Sequence, residues 1–424
     1  MDKHLKDKRR IYKEVPNVEI QQYQLKKFNE IWKEIINEVP YYKELVDKER
    51  IPSQIKSIDD FIKLPITDRK EVRNNVLKYS NNNVEPDFWI TTGGSTGTPL
   101  KFPSRKKEKE YYEPSIWYAR DFYGIKRSDR MFRLWGHSHT LGKGFSKYKK
   151  ILSFKIGHPL IGFKRFSAYN LSKEQLRKAG EEILKFKPDY IIGYSKAINM
   201  LAKVNEGRKN EFHKLNLRAV IGASEAFDTK EDREFVSEVF GCEVGLEYAS
   251  METKHIAHTY PKSDYKVLWD DVIMECVDEN GLPSTTGRVL ITTLYPRMFP
   301  LVRYELGDII VNTKKSGHSV YEFEEIKGRD NDFLKIDAET SIHSEALTHA
   351  IKLSDKISSY QIRYDKNNNY TIYVTSNDNI NEKEKKEIQY RLNNIDSRLQ
   401  KLPIVQVDQL KQTIAGKTKW LVEE

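Results

Sequence analysis

The chain is most legible where its apolar residues recur at a fixed spacing. Leu25, Phe28, Ile31, Trp32, Ile35, Ile36 and Val39 repeat at close to a helical period, which predicts an amphipathic helix over 20–39 that Pro40 ends. A second short helix is expected from Tyr41, Tyr42, Leu45 and Val46, and Pro52 and Pro65 punctuate the connection after it. Residues 111–123 have helical spacing, and 131–135 read as a buried strand. Strands and helices then alternate: a helix over 171–186 capped by Ser172, a strand over 190–194, a helix over 197–204, a strand over 217–222, a helix over 229–240 and a strand over 244–248. Such alternation predicts a parallel sheet covered on both faces, because each crossover lays a helix against the strands it joins.

The period changes twice more. Residues 265–277, 287–294 and 309–311 read as antiparallel strands or a barrel, with turns at 278–281 and at Pro296. Beyond Gly328-Arg329-Asp330-Asn331-Asp332 the pattern is a helix over 344–353, a hairpin over 360–374, a helix over 381–399 and a strand over 404–407. The expected fold class is α/β. A large N-terminal domain of mixed sheets, with β/α layers and a small barrel-like region, spans 1–327; a small α/β domain spans 333–424.

Composition narrows the class. Of 424 residues, 38% are hydrophobic and 11% aromatic, enough core material to exclude a disordered chain. Cys242 and Cys276 are the only cysteines and lack metal-ligand spacing, which argues for a reducing cytoplasm and against a structural zinc site. No apolar run approaches the roughly 20 residues of a membrane span, and no apolar segment follows the charged start, so a soluble cytoplasmic protein without membrane insertion is expected.

The net charge of +10 is uneven: residues 101–180 hold 20 Lys/Arg against 6 Asp/Glu. That field attracts anions, whether a nucleotide, an acidic substrate or an acidic carrier protein, unless it is only a lysine-rich solvated face. No reader helix, zinc finger or aromatic RNA-binding motif accompanies it, so nucleic acid is not an expected partner.

Candidate chemistry begins at Thr91-Thr92-Gly93-Gly94-Ser95-Thr96-Gly97-Thr98-Pro99-Leu100, set between two apolar segments. Glycines allow close backbone approach and the hydroxyls can bond phosphate oxygens, so the stretch reads either as a phosphate grip or as a Gly/Thr turn. It lacks the Gly-Lys-Ser/Thr of a Walker loop and the dinucleotide fingerprint.

Further motifs follow in a fixed order: Val39-Pro40-Tyr41-Tyr42, Lys63-Leu64-Pro65-Ile66-Thr67, the grip, Gly222-Ala223-Ser224-Glu225, Tyr248-Ala249-Ser250-Met251-Glu252, Pro300 to Asp308, Gly328 to Asp332, and Gly416-Lys417. Together they resemble the adenylate-forming superfamily, and within it the phenylacetate-CoA-ligase-like enzymes, including the branch associated with capsule-polysaccharide genes. The resemblance covers nearly the whole chain. It implies an ATP- and Mg²⁺-dependent ligase that joins a carboxylate to AMP, releases pyrophosphate and passes the acyl group to a thiol or an amine. CoA, a phosphopantetheine carrier and an amine all stay open as acceptors, and polysaccharide or secondary-metabolite biosynthesis is the setting it suggests.

The resemblance also implies roles. Thr92, Gly93, Ser95, Thr96, Gly97 and Thr98 would hold the phosphates; Gly222, Ala223, Ser224, Glu225, Tyr248, Ala249 and Ser250 would line the adenine site; Asp308, Arg303 and Arg329 would contact ribose or phosphate. Arg303 is expected to be semi-buried after Leu301-Val302, where a structural ion pair competes with a nucleotide contact. Glu252 would hold Mg²⁺, Lys417 would be the catalytic lysine and 328–332 the hinge of a mobile C-terminal domain, its pivot falling on Asn331. Trp135, His137, His139 and Tyr194 are candidates for the acyl pocket, where polar, basic surroundings suit a polar or anionic acid.

Four positions depart from the family pattern; at one of them Ala249 replaces a glycine, and the other three bear more directly on catalysis. Met251 stands where a Ser or Thr is usual, Asn331 replaces the hinge carboxylate, and 334–338 lack the glycine that starts the acceptor-facing loop. A catalytically reduced, nucleotide-binding partner protein in a biosynthetic complex is the alternative that these departures support.

Overall fold

The computed structural model describes residues 2–92, 100–136, 161–168, 171–224, 226–227, 229–261, 263–327, 333–337, 340–352, 356–365, 369–376, 378–411 and 420–423. Its central element is a sheet that contains nine strands among these residues. Phe163–Ser167, Met131–Trp135, Tyr190–Tyr194, Ala219–Ala223 and Glu243–Ser250 lie side by side and parallel. Helices Lys173–Phe186, Ser195–Val204 and Lys230–Phe240 connect them, as the alternation predicts. Ile191, Val220 and Val244 point to the face packed on these helices, while Tyr190, Ile192, Ala219 and Ile221 pack with Tyr123 and Ile125 on the other. Both faces are buried, which explains why these strands read as continuous apolar runs.

The local signals act where expected. Ser172 accepts from the Gln175 amide and Thr229 from the Asp232 amide, each capping its helix, and Gly241 ends the second helix at φ +67°. Helix Ile20–Glu38 buries Phe28, Ile31, Trp32 and Ile35 with helix Pro40–Asp47 against Ile273, Leu294 and Val302.

After Ser250 the sheet changes sense. Lys254–Thr259 returns antiparallel to Glu243–Ser250, and Tyr265–Val267, Ser319–Phe323 and Lys314–Ser316 continue the sheet. The run expected as one strand over 265–277 is two: Tyr265–Val267 belongs to the nine-stranded sheet and Val272–Val277 to another. Buried Asp270 and Asp271 break it, because their carboxylates meet Lys8 of helix Asp2–Glu14. Val272–Val277, Gly287–Thr293, Tyr304–Val311 and Glu325–Lys327 form an antiparallel sheet, and no closed barrel occurs among the described residues.

Helix Asp2–Glu14 carries only a short apolar stripe, through which Ile11 and Tyr12 pack on the main core cluster. Polar groups hold it as well: Lys8 is 4% exposed, and Tyr12 donates to Asp270 Oδ1 at 2.8 Å. The C-terminal residues build a separate apolar cluster. Strands Ile357–Tyr364 and Tyr370–Ser376 pair antiparallel, flanked in parallel by Leu421–Glu423 and Ile404–Gln406, and pack with helices Ser344–Lys352 and Glu382–Asn393. The helix expected over 381–399 ends at Asn393.

His258, on Lys254–Thr259, is 2% exposed and stacks on Phe122 with ring centroids 5.8 Å apart. Neither of its ring nitrogens has a hydrogen-bond partner among the described residues, and burial, with His255 beside it, holds its pKa well below 6.5. An unfolded histidine takes up a proton below pH 6.5 that the folded one refuses, so stability is full above that pH and falls as the pH drops beneath it. Urea midpoints measured from pH 7.5 to 5.5 should therefore decline in the wild type and decline less in His258→Phe. Lys8→Met leaves two buried carboxylates without their cation and should cost about 3–5 kcal/mol in the same measurement.

Candidate active site

The site lies where the sheet switches from parallel to antiparallel. Strand Glu243–Ser250 runs parallel to its predecessor, turns through Met251, Glu252 and Thr253, and returns as Lys254–Thr259. That turn carries the Glu252 carboxylate, 3% exposed, to within 3.1 Å of Arg69 Nη2. Arg69 is the first residue of helix Arg69–Asn74, which Asp68 caps by accepting from the Lys70 and Glu71 amides. Its Nη2 also donates to Thr92 Oγ1 at 3.4 Å. Thr92 is in turn fixed to Leu100, its hydroxyl accepting from the Leu100 amide at 2.9 Å and its own amide donating to the Leu100 carbonyl at 2.9 Å. Arg69 therefore joins the base of the Gly/Thr stretch to the acidic turn.

Tyr248 is buried at the end of the strand before the turn and donates its hydroxyl to Asp308 Oδ2 at 2.8 Å. Asp308 lies on Tyr304–Val311, in the other sheet, so this bond joins two motifs 60 residues apart. Ser250 Oγ accepts from the Thr253 amide at 3.0 Å and lies 2.9 Å from Thr253 Oγ1, which holds the acidic turn closed. Ala249 and Met251 are exposed on either side of Ser250.

Gly222, Ala223 and Ser224 end strand Ala219–Ala223 on the neighbouring edge. A Cβ on Gly222 would stand 2.5 Å from Ser195 Oγ, so only glycine lets helix Ser195–Val204 start this close to the strand. Ser224 takes φ +69°, a left-handed conformation disfavoured for residues with a Cβ, at the point where the chain leaves the sheet.

Arg303 is fully engaged within the protein. Its Nε and Nη2 donate to Glu275 at 3.1 and 3.0 Å, and its Nη1 donates to the carbonyls of Ile62 and Leu64 at 2.6 and 2.9 Å. Of the two readings open from the sequence, the structural ion pair is the arrangement observed. Tyr194 is likewise core: its ring lies 4.4 Å from that of Trp135, and its hydroxyl accepts from the Gly136 amide at 3.3 Å. Gly93, Ser95, Thr96, Gly97, Thr98, His137, His139, Glu225, Arg329, Asn331 and Lys417 lie outside the described residues.

Two residues near Glu252 gave no sequence signal. Arg69 is one of many arginines in a charged segment, and only the fold brings it to Thr92. Lys254 donates to the Met251 carbonyl at 2.9 Å, and burial, with Arg297 close by, pushes its pKa down to about 8.

The donors fit a nucleotide and its metal. Glu252 Oε1 is buried, faces Arg69 and accepts no hydrogen bond among the described residues, so the carboxylate has capacity for a cation. No group of three or more His, Cys, Asp or Glu that could hold a metal occurs among the described residues, whereas Mg²⁺ on a nucleotide takes one or two carboxylates and completes its shell with phosphate oxygens and water.

The structure resembles that of 2-hydroxyisobutyryl-CoA ligase in complex with 2-HIB-AMP and CoA in the thioesterification state, with a TM-score of 0.62 and 16% identity over 97% of this chain and 91% of that one. It also resembles the same ligase in the postadenylation state with 2-HIB-AMP, with a TM-score of 0.58 and 16% identity over 95% and 89% of the two chains. Protein CapK of Staphylococcus aureus is 24% identical over 379 residues, 87% of this chain and 82% of its own length. No protein-family model matches the chain. The chain thus has the fold of the adenylate-forming acyl-CoA ligases.

Arg303→Met removes a buried cation from Glu275 and should lower unfolding free energy by about 3–5 kcal/mol in denaturant titration. Tyr248→Phe removes one bond to a carboxylate and should cost no more than about 1.5–3 kcal/mol in the same titration.

Proposed function

We propose that this protein is an ATP-dependent carboxylate-activating ligase that forms an acyl-adenylate, releases pyrophosphate and transfers the acyl group to a thiol or an amine. The observation that supports it most is the meeting of Thr92, Arg69 and Glu252 beside the Tyr248–Asp308 pair. In the reaction a carboxylate oxygen attacks the α-phosphorus of ATP, the bond from that phosphorus to the bridging oxygen breaks, and pyrophosphate leaves. Two anions must approach, so positioning and charge neutralisation dominate the barrier.

Asp308 accepts from the ribose hydroxyls and Tyr248 offers its ring to adenine, while Gly222 to Glu225 line the edge of that site. Arg69 and the 92–98 stretch bind the β- and γ-phosphates. Glu252 is the residue that would hold Mg²⁺, which offsets phosphate charge when bound. Lys417 supplies a cation at the reacting carboxylate and α-phosphate, and Arg329 with Asn331 lies at a hinge over 328–332 between an N-terminal domain, 1–327, and a small C-terminal domain, 333–424. Trp135, His137 and His139 border the acyl group, while Tyr194 packs beneath Trp135 in the core. The lysine- and arginine-rich 101–180 segment favours a polar or anionic acid and an acidic carrier over a neutral aromatic acid.

Likeness to CapK supports a place in capsule-type polysaccharide biosynthesis. Cys242 and Cys276 are free thiols, which supports a cytoplasmic setting, and no helix among the described residues is long and apolar enough to cross a membrane.

Pyrophosphate release should appear with one acid from a panel that includes sugar acids and amino acids. It should vanish in Lys417→Ala with the melting temperature unchanged. Arg69→Ala should lower kcat/KM for ATP by about tenfold to a hundredfold, the loss of one charge-assisted phosphate contact. Thr96→Ala should impair adenylate formation and spare transfer from a preformed adenylate. ATP binding without turnover across the panel would instead identify the nucleotide-binding partner protein that Met251 and Asn331 favour.

A further inference from the structure

We infer that Lys254 is a positioning residue for the Glu252 carboxylate, acting through the turn it closes; the inference rests on the nucleotide-site reading given above. Strands Glu243–Ser250 and Lys254–Thr259 pair as far as Ser250 and Lys254, leaving Met251, Glu252 and Thr253 as a three-residue loop, with a register shift between Tyr248 and Ala249. Loops of this length place a residue of left-handed conformation at their exit, and glycine or asparagine is the usual occupant. Here the left-handed residue is Lys254, at φ +65°. The backbone alone would prefer glycine at this position, so what lysine adds is its side chain.

That side chain folds back across the loop. Its Nζ donates to the Met251 carbonyl at 2.9 Å and lies 6.0 and 5.8 Å from the ring centroids of Phe102 and Tyr112. Phe102 is on Lys101–Ser104, the strand that leaves the Gly/Thr stretch, and Tyr112 is on the helix after it. Lys254 thus ties the carbonyl just before Glu252 to the element downstream of the phosphate grip. The other side of the loop is held by Tyr295, whose hydroxyl donates to the Thr253 carbonyl at 3.4 Å, and by the Ser250–Thr253 contacts. The peptide joining Met251 to Glu252 depends on Lys254 for its own anchor. Without it the carboxylate keeps its place in the chain and loses its fixed direction toward Arg69 and the phosphates.

The consequence is specific to the metal. Calorimetric titration of the full chain with ATP, with and without Mg²⁺, should show binding in Mg²⁺ weakened about tenfold or more in Lys254→Met and Lys254→Gly. Binding without Mg²⁺ should stay within about twofold of wild type, because ribose and adenine contacts are untouched. Lys254→Arg, which keeps a donor on a long stem, should restore most of the affinity. Lys254→Gly should melt no lower than wild type, since glycine relieves the left-handed backbone. Unchanged Mg²⁺-dependent binding in Met and Gly variants, equal losses with and without the metal, or no restoration by arginine would overturn the inference. Absence of ATP binding by the wild type would overturn the nucleotide-site reading and this inference with it.

Discussion

The buried pairing of Arg303 with Glu275 is the constraint on which the site depends. Both residues lie in the interior, and the guanidinium reaches in two directions, to the Glu275 carboxylate and to the carbonyls of Ile62 and Leu64. Burying two charges is costly unless their hydrogen-bonding capacity is met, and here Nε, Nη1 and Nη2 each have a partner. The pairing fixes the segment that leads to Arg69. Thr67, two residues before it, donates its amide to the Arg303 carbonyl, accepts from the Glu305 amide and donates its hydroxyl to the Val302 carbonyl. Arg69 is therefore held relative to the strand that carries Asp308, although nearly 240 residues separate them. Arg303 itself takes φ +44°, which adds backbone strain that its four side-chain hydrogen bonds must offset.

From that anchor the candidate site follows from how two sheets meet. The nine-stranded sheet supplies Tyr248 and the Glu252 turn at the point where parallel pairing ends, and the four-stranded sheet supplies Asp308. Strand ends at such a change of sense leave side chains and backbone groups uncommitted to the ladder, and these become available to a ligand. The local conformations there are uncommon ones: Ser224 and Lys254 are both left-handed despite carrying a Cβ. Strain of this kind persists only where the surroundings over-determine it, and it falls here on the two loops that flank Tyr248.

At the candidate site arginines stand opposite carboxylates, and no group of three or more metal-ligating side chains occurs among the described residues. Glu252 faces Arg69, while Arg297 and Glu108 lie behind the turn, 3.9 Å apart. Glu108 also accepts from Ser104 Oγ and from the Arg105 and Met298 amides, so it braces the strand after the Gly/Thr stretch against the segment that leads to Arg303. Glu252 and Glu108 are thus each set against an arginine, while Asp308 is held by Tyr248.

The sequence by itself determined the β/α alternation, the helix caps at Ser172 and Thr229, and the order of motifs, because each is written in local periodicity or side-chain chemistry. Through the resemblance of its motifs it also marked Tyr248, Glu252 and Asp308 as candidates, since short motifs survive where overall identity is low. Only the tertiary structure decided which charges work on the site and which on the fold. Arg303 looked as suited to phosphate as to an ion pair until Glu275, Ile62 and Leu64 closed around it. Arg69 looked like any surface arginine until the fold carried it to Thr92 and Glu252. Helix Asp2–Glu14 and the split at Asp270-Asp271 are joined by a buried ion pair, Lys8 with the two aspartates, that no local pattern announces. Periodicity reports burial of apolar surface along one segment; a charge buried against a distant partner leaves no such trace, and only the folded chain reveals it.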